Sequence, residues 1–232
     1  WQSPTFSHHQ TTVYDAKEQG LDIDLVALKD SLSDPDGWAQ EFECVFMQSS
    51  EQMFSSELIE SCISKRASLD NSMTAEPAEK YVGIDIGRKK DLTVIWVLER
   101  RSGQLVTTEV RCLDNVPFPD QEEAILEMIR GAAFAAIDST GVGGAISENL
   151  QTRLGKMTME CVVFTKEKKR LLFTEMKREM QSGKVELAEC NYIRSEFASL
   201  TRMVTNTGVI KITAARTADG HADRATALSL AI

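Results

Sequence analysis

Tyr81-Val82-Gly83-Ile84-Asp85-Ile86-Gly87 is the stretch that decides the fold. In an extended chain, successive side chains point to opposite faces, so Val82, Ile84 and Ile86 share one face and Gly83 and Asp85 share the other. The segment therefore reads as a strand, 81–86, that delivers a carboxylate at its end and keeps a glycine beside it for close approach of a ligand or another backbone. A carboxylate at the end of a buried strand is costly unless something compensates it. The same pattern recurs in Phe134-Ala135-Ala136-Ile137-Asp138-Ser139-Thr140-Gly141, and a third acid, Asp223, opens Asp223-Arg224-Ala225-Thr226-Ala227-Leu228-Ser229-Leu230-Ala231. Three converging carboxylates repel one another and need cations to coexist, which is how a two-metal phosphodiester-cutting site is built.

Working outward from this stretch, Leu92–Glu99 and Gln104–Leu113 read as two more strands, with Arg101-Ser102-Gly103 as a hairpin turn between them. In the latter strand, alternation puts Val106, Thr108, Val110 and Cys112 on one face. Short turns make these three strands pair antiparallel. A helix over 120–130 follows, with Asp120, Glu122 and Glu123 in its first turn, where the helix dipole favours them. Phe134–Asp138 reads as a buried central strand, followed by a glycine turn and a helix ending near Gly155. Then come a strand at 159–164, a long helix at 166–181, a helix at 192–203, a strand at 209–213 and a last helix at 222–232. An antiparallel meander running into β-α-β units implies a mixed α/β sheet with helices on both faces. That topology resembles the ribonuclease H-like fold, whose metal-binding acids lie on the first strand, the fourth strand and a late helix.

Residues 1–75 read differently: polar, acidic and mostly helical, with a turn at Asp34-Pro35-Asp36-Gly37 and Trp38, Phe42, Val45 and Phe46 at helical spacing. A short helix is expected over 56–63 and a linker over 68–78, which puts the domain boundary between residues 75 and 76. The absence of an initiator Met suggests a piece of a longer chain. No stretch has the apolar length of a bilayer span, and no secretory signal opens the chain. Five scattered cysteines without a C-x-x-C pair argue against a disulfide framework and a zinc site, and for a reducing compartment.

The net charge of -9 counts against nucleic-acid binding, but basic residues cluster locally. Lys166, Lys168, Lys169 and Arg170 open the long helix, and Arg88, Lys89 and Lys90 follow Asp85 directly. The plainer reading of the longer cluster is a solvated helix face. Each acid has a plainer reading as well: Asp85 as a turn cap, Asp138 in a helix-start turn with Ser139 or Thr140, Asp223 as an acid favouring its helix dipole. Asp91, six residues after Asp85, returns to the same sheet end, and Asp219 and His221 stand just before the last helix as auxiliaries. There is no G-x-x-x-x-G-K-[ST] motif in the chain, so the glycines after Asp138 are not a P-loop.

On Val82–Gly87 with Asp91-Leu92-Thr93, Ala136–Gly143 and Gly220–Ala231, residues from about 80 to 232 resemble the nuclease domain of phage terminase large subunits, nearest to the Mu-like type. Residues 1–65, notably Thr12, Asp15-Ala16, Gly20-Leu21 and Trp38–Phe42, resemble the tail that follows that family's ATPase core. The resemblance implies an endonuclease that cuts concatemeric viral double-stranded DNA with two Mg²⁺ or Mn²⁺ on Asp85, Asp138 and Asp223, with Asp91 matching an acid that often follows the first. It also implies the portal protein, the terminase small subunit and the ATPase domain of the same full-length chain as partners. The expected place is the host cytoplasm, transiently at the portal vertex of the procapsid, with no membrane contact. The chain departs from the pattern at Ala222, where many relatives carry a second acid, and in lacking Walker motifs, so ATP hydrolysis is not expected of it. Two rival readings are half of an actin-like or sugar-kinase-type ATPase, which nucleotide binding would reveal, and a docking module of the packaging motor, which would bind partners but no metal.

Overall fold

The computed structural model describes residues 9–32, 35–45, 50–71, 78–87, 91–141, 143–204, 210–214 and 222–232, in two compact units, Trp1–Ser50 and Glu51–Ile232. The first unit contains helices α1 (Val13–Glu18), α2 (Leu25–Leu32) and α3 (Pro35–Phe42). The Thr12 hydroxyl accepts from the Asp15 N–H while the Asp15 carboxylate accepts from the Thr12 N–H, a reciprocal cap on α1. Trp38 is buried, stacks on Phe42 at 4.7 Å between ring centres, and donates its indole N–H to Glu43 at 2.9 Å. Pro35 is already helical, so the expected turn around it is the start of α3, where the fixed φ of proline fits. Val45 lies past the end of α3, and Phe46 lies outside the described residues.

The second unit runs β1 (Ser50–Gln52), α4 (Ser56–Cys62), β2 (Glu79–Asp85), β3 (Thr93–Arg101), β4 (Gln104–Leu113), α5 (Phe118–Ile129), β5 (Phe134–Asp138), α6 (Gly143–Leu154), β6 (Met159–Val162), α7 (Lys166–Gln181), β7 (Val185–Glu186), α8 (Asn191–Ser199), β8 (Leu200–Val204), β9 (Ile210–Ala214) and α9 (Asp223–Ala231). Among the described residues, six strands form one sheet in the order β6-β5-β2-β3-β4-β7, and β1, β8 and β9 form a second. β2, β3 and β4 are antiparallel, while β5 lies parallel to β2 and β6 parallel to β5, the mixed ribonuclease H-like arrangement expected.

The alternation in β2 sorts the two cores. Val82, Ile84 and Ile86 join Ile125, Ile129, Ile146 and Leu150 of α5 and α6 on one face. On the other, Tyr81 packs with Trp96, Phe173 and Met176 of α7, Phe197 of α8 and the small residues Ala225, Ala227 and Ala231 of α9. The expected alternation breaks in β4: the pairing with β3 shifts register between Val97 and Leu98, so Leu105 and Val110, five residues apart, pack on the same core.

Three boundaries differ from the sequence expectation. The second unit starts at Glu51 rather than at 76, because Met53, Phe54, Ile59 and Cys62 are buried in its core. Part of the expected linker is stitched to the sheet, with the Ser68 and Asn71 N–H groups donating to Thr107 and Thr108 carbonyls at 2.9 Å. The helix expected to reach 203 ends at Ser199, and the chain turns into β8, which pairs with β9 from Leu200↔Ala214 to Val204↔Ile210. The two-residue strand β7 has no counterpart in the sequence expectation. No helix among the described residues is long and apolar enough to cross a membrane.

Candidate active site

β2 and β5 run parallel with Ile84 beside Ile137, so the next residues, Asp85 and Asp138, leave adjacent strands at the same sheet end. The third acid arrives from above. α9 lies on the sheet directly over Gly83, where a β-carbon would stand 1.9 Å from the Ala227 carbonyl oxygen and 2.6 Å from the Ala231 nitrogen. Only glycine permits that approach, and the small residues of α9 complete it. The result is that Asp223, in the first turn of α9, is buried with its Oδ2 accepting the Leu92 N–H at 3.0 Å, at the mouth of β3. Gly143 plays a similar part under Asp138: a β-carbon there would meet the Asp138 carbonyl at 2.4 Å, so α6 starts hard against the acid.

The electrostatics follow from this crowding. Burial raises the Asp85 carboxyl well above the ordinary value of 3.8, and the negative charges of Asp223 and Asp138 raise it further, with Lys169 opposing. Asp138 is also raised by burial, against hydrogen bonds from Thr140, whose N–H reaches Asp138 Oδ1 at 2.7 Å. Lys169 is pushed down by burial and held up by Asp85, Asp138 and Asp223 in turn. Among the described residues Lys169 is the cation that opposes these three carboxylates, and carboxylate oxygens are the donors that hard divalent cations take. Among the described residues, no three His, Cys, Asp or Glu side chains are already posed to hold a metal ion. The chemistry of the donor set nevertheless fits one.

Asp91 immediately precedes Leu92 at this sheet end. Lys166, Lys168, Lys169 and Arg170 lie in the first turns of α7, after the N-cap Thr165 whose hydroxyl accepts the Lys168 N–H at 3.0 Å. Lys166 and Lys169 line a cleft of about 320 Å³ with Lys211 and Thr213 of β9. Arg88, Lys89, Lys90, Asp219 and His221 lie outside the described residues. Sequence reading missed Lys211, an alternate residue in a short β-branched strand, and Glu196 of α8, which bonds the first turn of α9.

A mixed sheet of this topology, with acids from two central strands and a late helix gathered at one end, defines a protein of the ribonuclease H-like class. The chain belongs to the terminase RNaseH-like domain family, whose model matches residues 82–232. Among solved structures it is similar to the large terminase nuclease of thermophilic phage G20c with bound magnesium, at 20% identity and a TM-score of 0.62 over 78% of this chain and 95% of that one. It is also similar to the large terminase nuclease domain of Thermus phage P74-26, at 19% identity and a TM-score of 0.61 over 78% and 94%. The large terminase of bacteriophage HK97 aligns at 12% identity and a TM-score of 0.57, over 91% of this chain but only 51% of that one. At these identities the likeness is one of fold. No curated protein matches the sequence.

Proposed function

We propose that the chain is the nuclease part of a phage large terminase, a divalent-metal-dependent endonuclease that cuts concatemeric viral double-stranded DNA during genome packaging. The observation that carries this is the gathering of Asp85, Asp138 and Asp223 at one sheet end, Asp223 buried and the other two half-buried, with Asp223 and Asp138 both raising Asp85, in a chain of the terminase RNaseH-like family. In this reading these three hold two Mg²⁺ or Mn²⁺ ions. The G20c nuclease was crystallised with magnesium, with cobalt and with zinc, which supports a divalent-metal requirement. When bound, the cations supply Lewis-acid activation of water and neutralise charge developing on the scissile phosphate.

The protein's own groups do the rest. The Leu92 N–H fixes the Asp223 carboxylate, and the Thr140 N–H fixes that of Asp138. Lys169 offsets the acids' repulsion while the site is empty of substrate. Lys166, Lys168, Arg170 and Lys211, with Arg88, Lys89 and Lys90, hold the DNA backbone without reading its sequence. Asp91, Asp219 and His221 stand as auxiliaries. Residues 1–50, the first compact unit, are the tail of an ATPase domain in this reading, and the Mu-like branch is the one the sequence pattern favours. The large terminase of another thermophilic bacteriophage was solved in complex with ATP-γ-S, and this chain aligns with about half of it. That likeness supports an ATPase domain elsewhere in the same full-length protein. Portal protein and small subunit are the remaining partners, met in the host cytoplasm and transiently at the procapsid portal vertex.

The test is plasmid cleavage in EDTA, Mg²⁺ or Mn²⁺ by the wild type and by Asp85→Asn, Asp138→Asn and Asp223→Asn, each checked for fold by circular dichroism. We predict metal-dependent cutting that falls about a thousandfold or more in each variant, the several kcal/mol a metal centre supplies. Three variants that all still cut with metal would sink the assignment.

A further inference from the structure

α9 begins without a cap of its own. Ala222, at the N-cap position, takes a left-handed backbone (φ 64°) and has no side-chain acceptor to offer. The first N–H groups of a helix have no partner inside it, and leaving one unpaired in a buried place is expensive. Here a neighbouring helix supplies what is missing. Glu196 of α8 accepts the Ala225 N–H at 2.8 Å through Oε1, the third-residue donor that an N-cap side chain would ordinarily satisfy. Its other oxygen, Oε2, accepts from Arg224 Nη1 at 2.9 Å. The pair is close to nine-tenths buried, with Arg224 11% and Glu196 9% exposed, and the guanidinium also stands 5.4 Å from the ring centre of Tyr192, on the same helix as Glu196.

We propose that Glu196 is a positioning residue for Asp223: a detached N-cap that fixes the height and rotation of the first turn of α9. The inference rests on the nuclease reading above. The Ala225 bond holds a backbone atom of the first turn, and the Arg224 bond ties the other oxygen of the same carboxylate to the adjacent side chain. Asp223 immediately precedes both bonded residues, and its own carboxylate is tied on the opposite side to Leu92 of the β3 mouth. The acid is thus held between the sheet and α8. A fourth carboxylate so near Asp85 would otherwise compete for cations, but both oxygens of Glu196 are engaged by α9, so it supports the ligand from behind.

The experiment is calorimetric titration of Mn²⁺ into the full chain, with thermal unfolding in EDTA alongside, for the wild type, Glu196→Ala and Glu196→Gln. Glutamine keeps one acceptor for the Ala225 N–H and loses the charge facing Arg224. We expect Mn²⁺ affinity to fall about 10- to 100-fold in Glu196→Ala, the usual cost of removing a group that orients a metal ligand, and about tenfold in Glu196→Gln. Cutting by either variant should recover in part as Mn²⁺ is raised. A folded Glu196→Ala that binds Mn²⁺ as tightly as the wild type overturns the positioning role, even if its melting temperature is lower. Should Glu196→Ala not fold, the same comparison is decided by Glu196→Gln. A wild type that binds no Mn²⁺ overturns the nuclease reading itself, which separates that failure from the narrower one.

Discussion

On one face of β2, Val82, Ile84 and Ile86 lie in an aliphatic core with Ile125, Ile129, Ile146 and Leu150; on the other, Gly83 and Asp85 lie beneath α9, among alanines. The first face is built mainly from large branched side chains, so its stability comes chiefly from area removed from water. The second gives up side-chain volume at Gly83 to bring a helix backbone almost into contact with a strand. It also gathers three carboxylates that repel one another. Residues one position apart on a single strand thus serve opposite ends. The period of two in a strand lets one short sequence anchor a fold on one side and hold a destabilised site on the other.

Each face can be broken separately. We predict the larger effect for Gly83→Val. Its β-carbon has to displace the Ala227 carbonyl and the Ala231 N–H, both backbone atoms, so α9 must lift from the sheet and carry Asp223 with it. More than about 4 kcal/mol of stability should go, together with Mn²⁺ binding. A variant that melts within a few degrees of the wild type would show that α9 does not press on the strand at Gly83. On the aliphatic face, Ile125→Ala leaves a cavity in α5 at a fully buried position and should cost about 2–5 kcal/mol. That variant should still bind Mn²⁺ with wild-type affinity at a temperature where it is folded, because none of the three acids touches that core. Loss of affinity without unfolding would mean that the two faces are coupled.

Much of this division is legible in the sequence. Gly83 and Asp85 alternate with three aliphatic residues, and Phe134–Asp138 is an apolar run ending in an acid, so both strand acids and their shared sheet end follow from local pattern. What local pattern does not carry is contact between distant segments. Ile193, Phe197 and Leu200 keep helical spacing, yet Leu200 is the first residue of β8 because β9 offers it a partner. Met53–Cys62 looks like part of a polar lead-in, and its place in the core depends on α7 and α8, more than a hundred residues away in the chain. Glu196 reads as an ordinary polar residue on a helix, since the groups it bonds lie 28 and 29 residues further on. The acids of the candidate site were readable because each stands at the end of its own element. The residue that braces one of them was not, because its meaning exists only once α8 and α9 pack.

The smallest predicted effect has the opposite sign to the others. In metal-free protein, Asp85→Asn should be stabilising, by about 1 kcal/mol and about 2–4 °C in melting temperature. The sign follows from linkage. Asp85 in the folded protein has its pKa raised by burial and by Asp223 and Asp138, so the folded state binds a proton more tightly than the unfolded chain does. The wild type therefore loses stability as pH rises from the ordinary aspartate value of 3.8 through the raised folded value, and stays at that lower level above it. Asparagine at position 85 has no charge to desolvate and escapes the loss. Melted in EDTA, the variant should exceed the wild type near neutral pH, and the gap should close as pH falls towards 4. Saturating Mn²⁺ should reverse the order, because the cation stabilises only the protein that binds it. If wild type and variant instead melt together at every pH in EDTA, the carboxylates are not crowded as described, and the contrast between the two faces of β2 reduces to one of side-chain size.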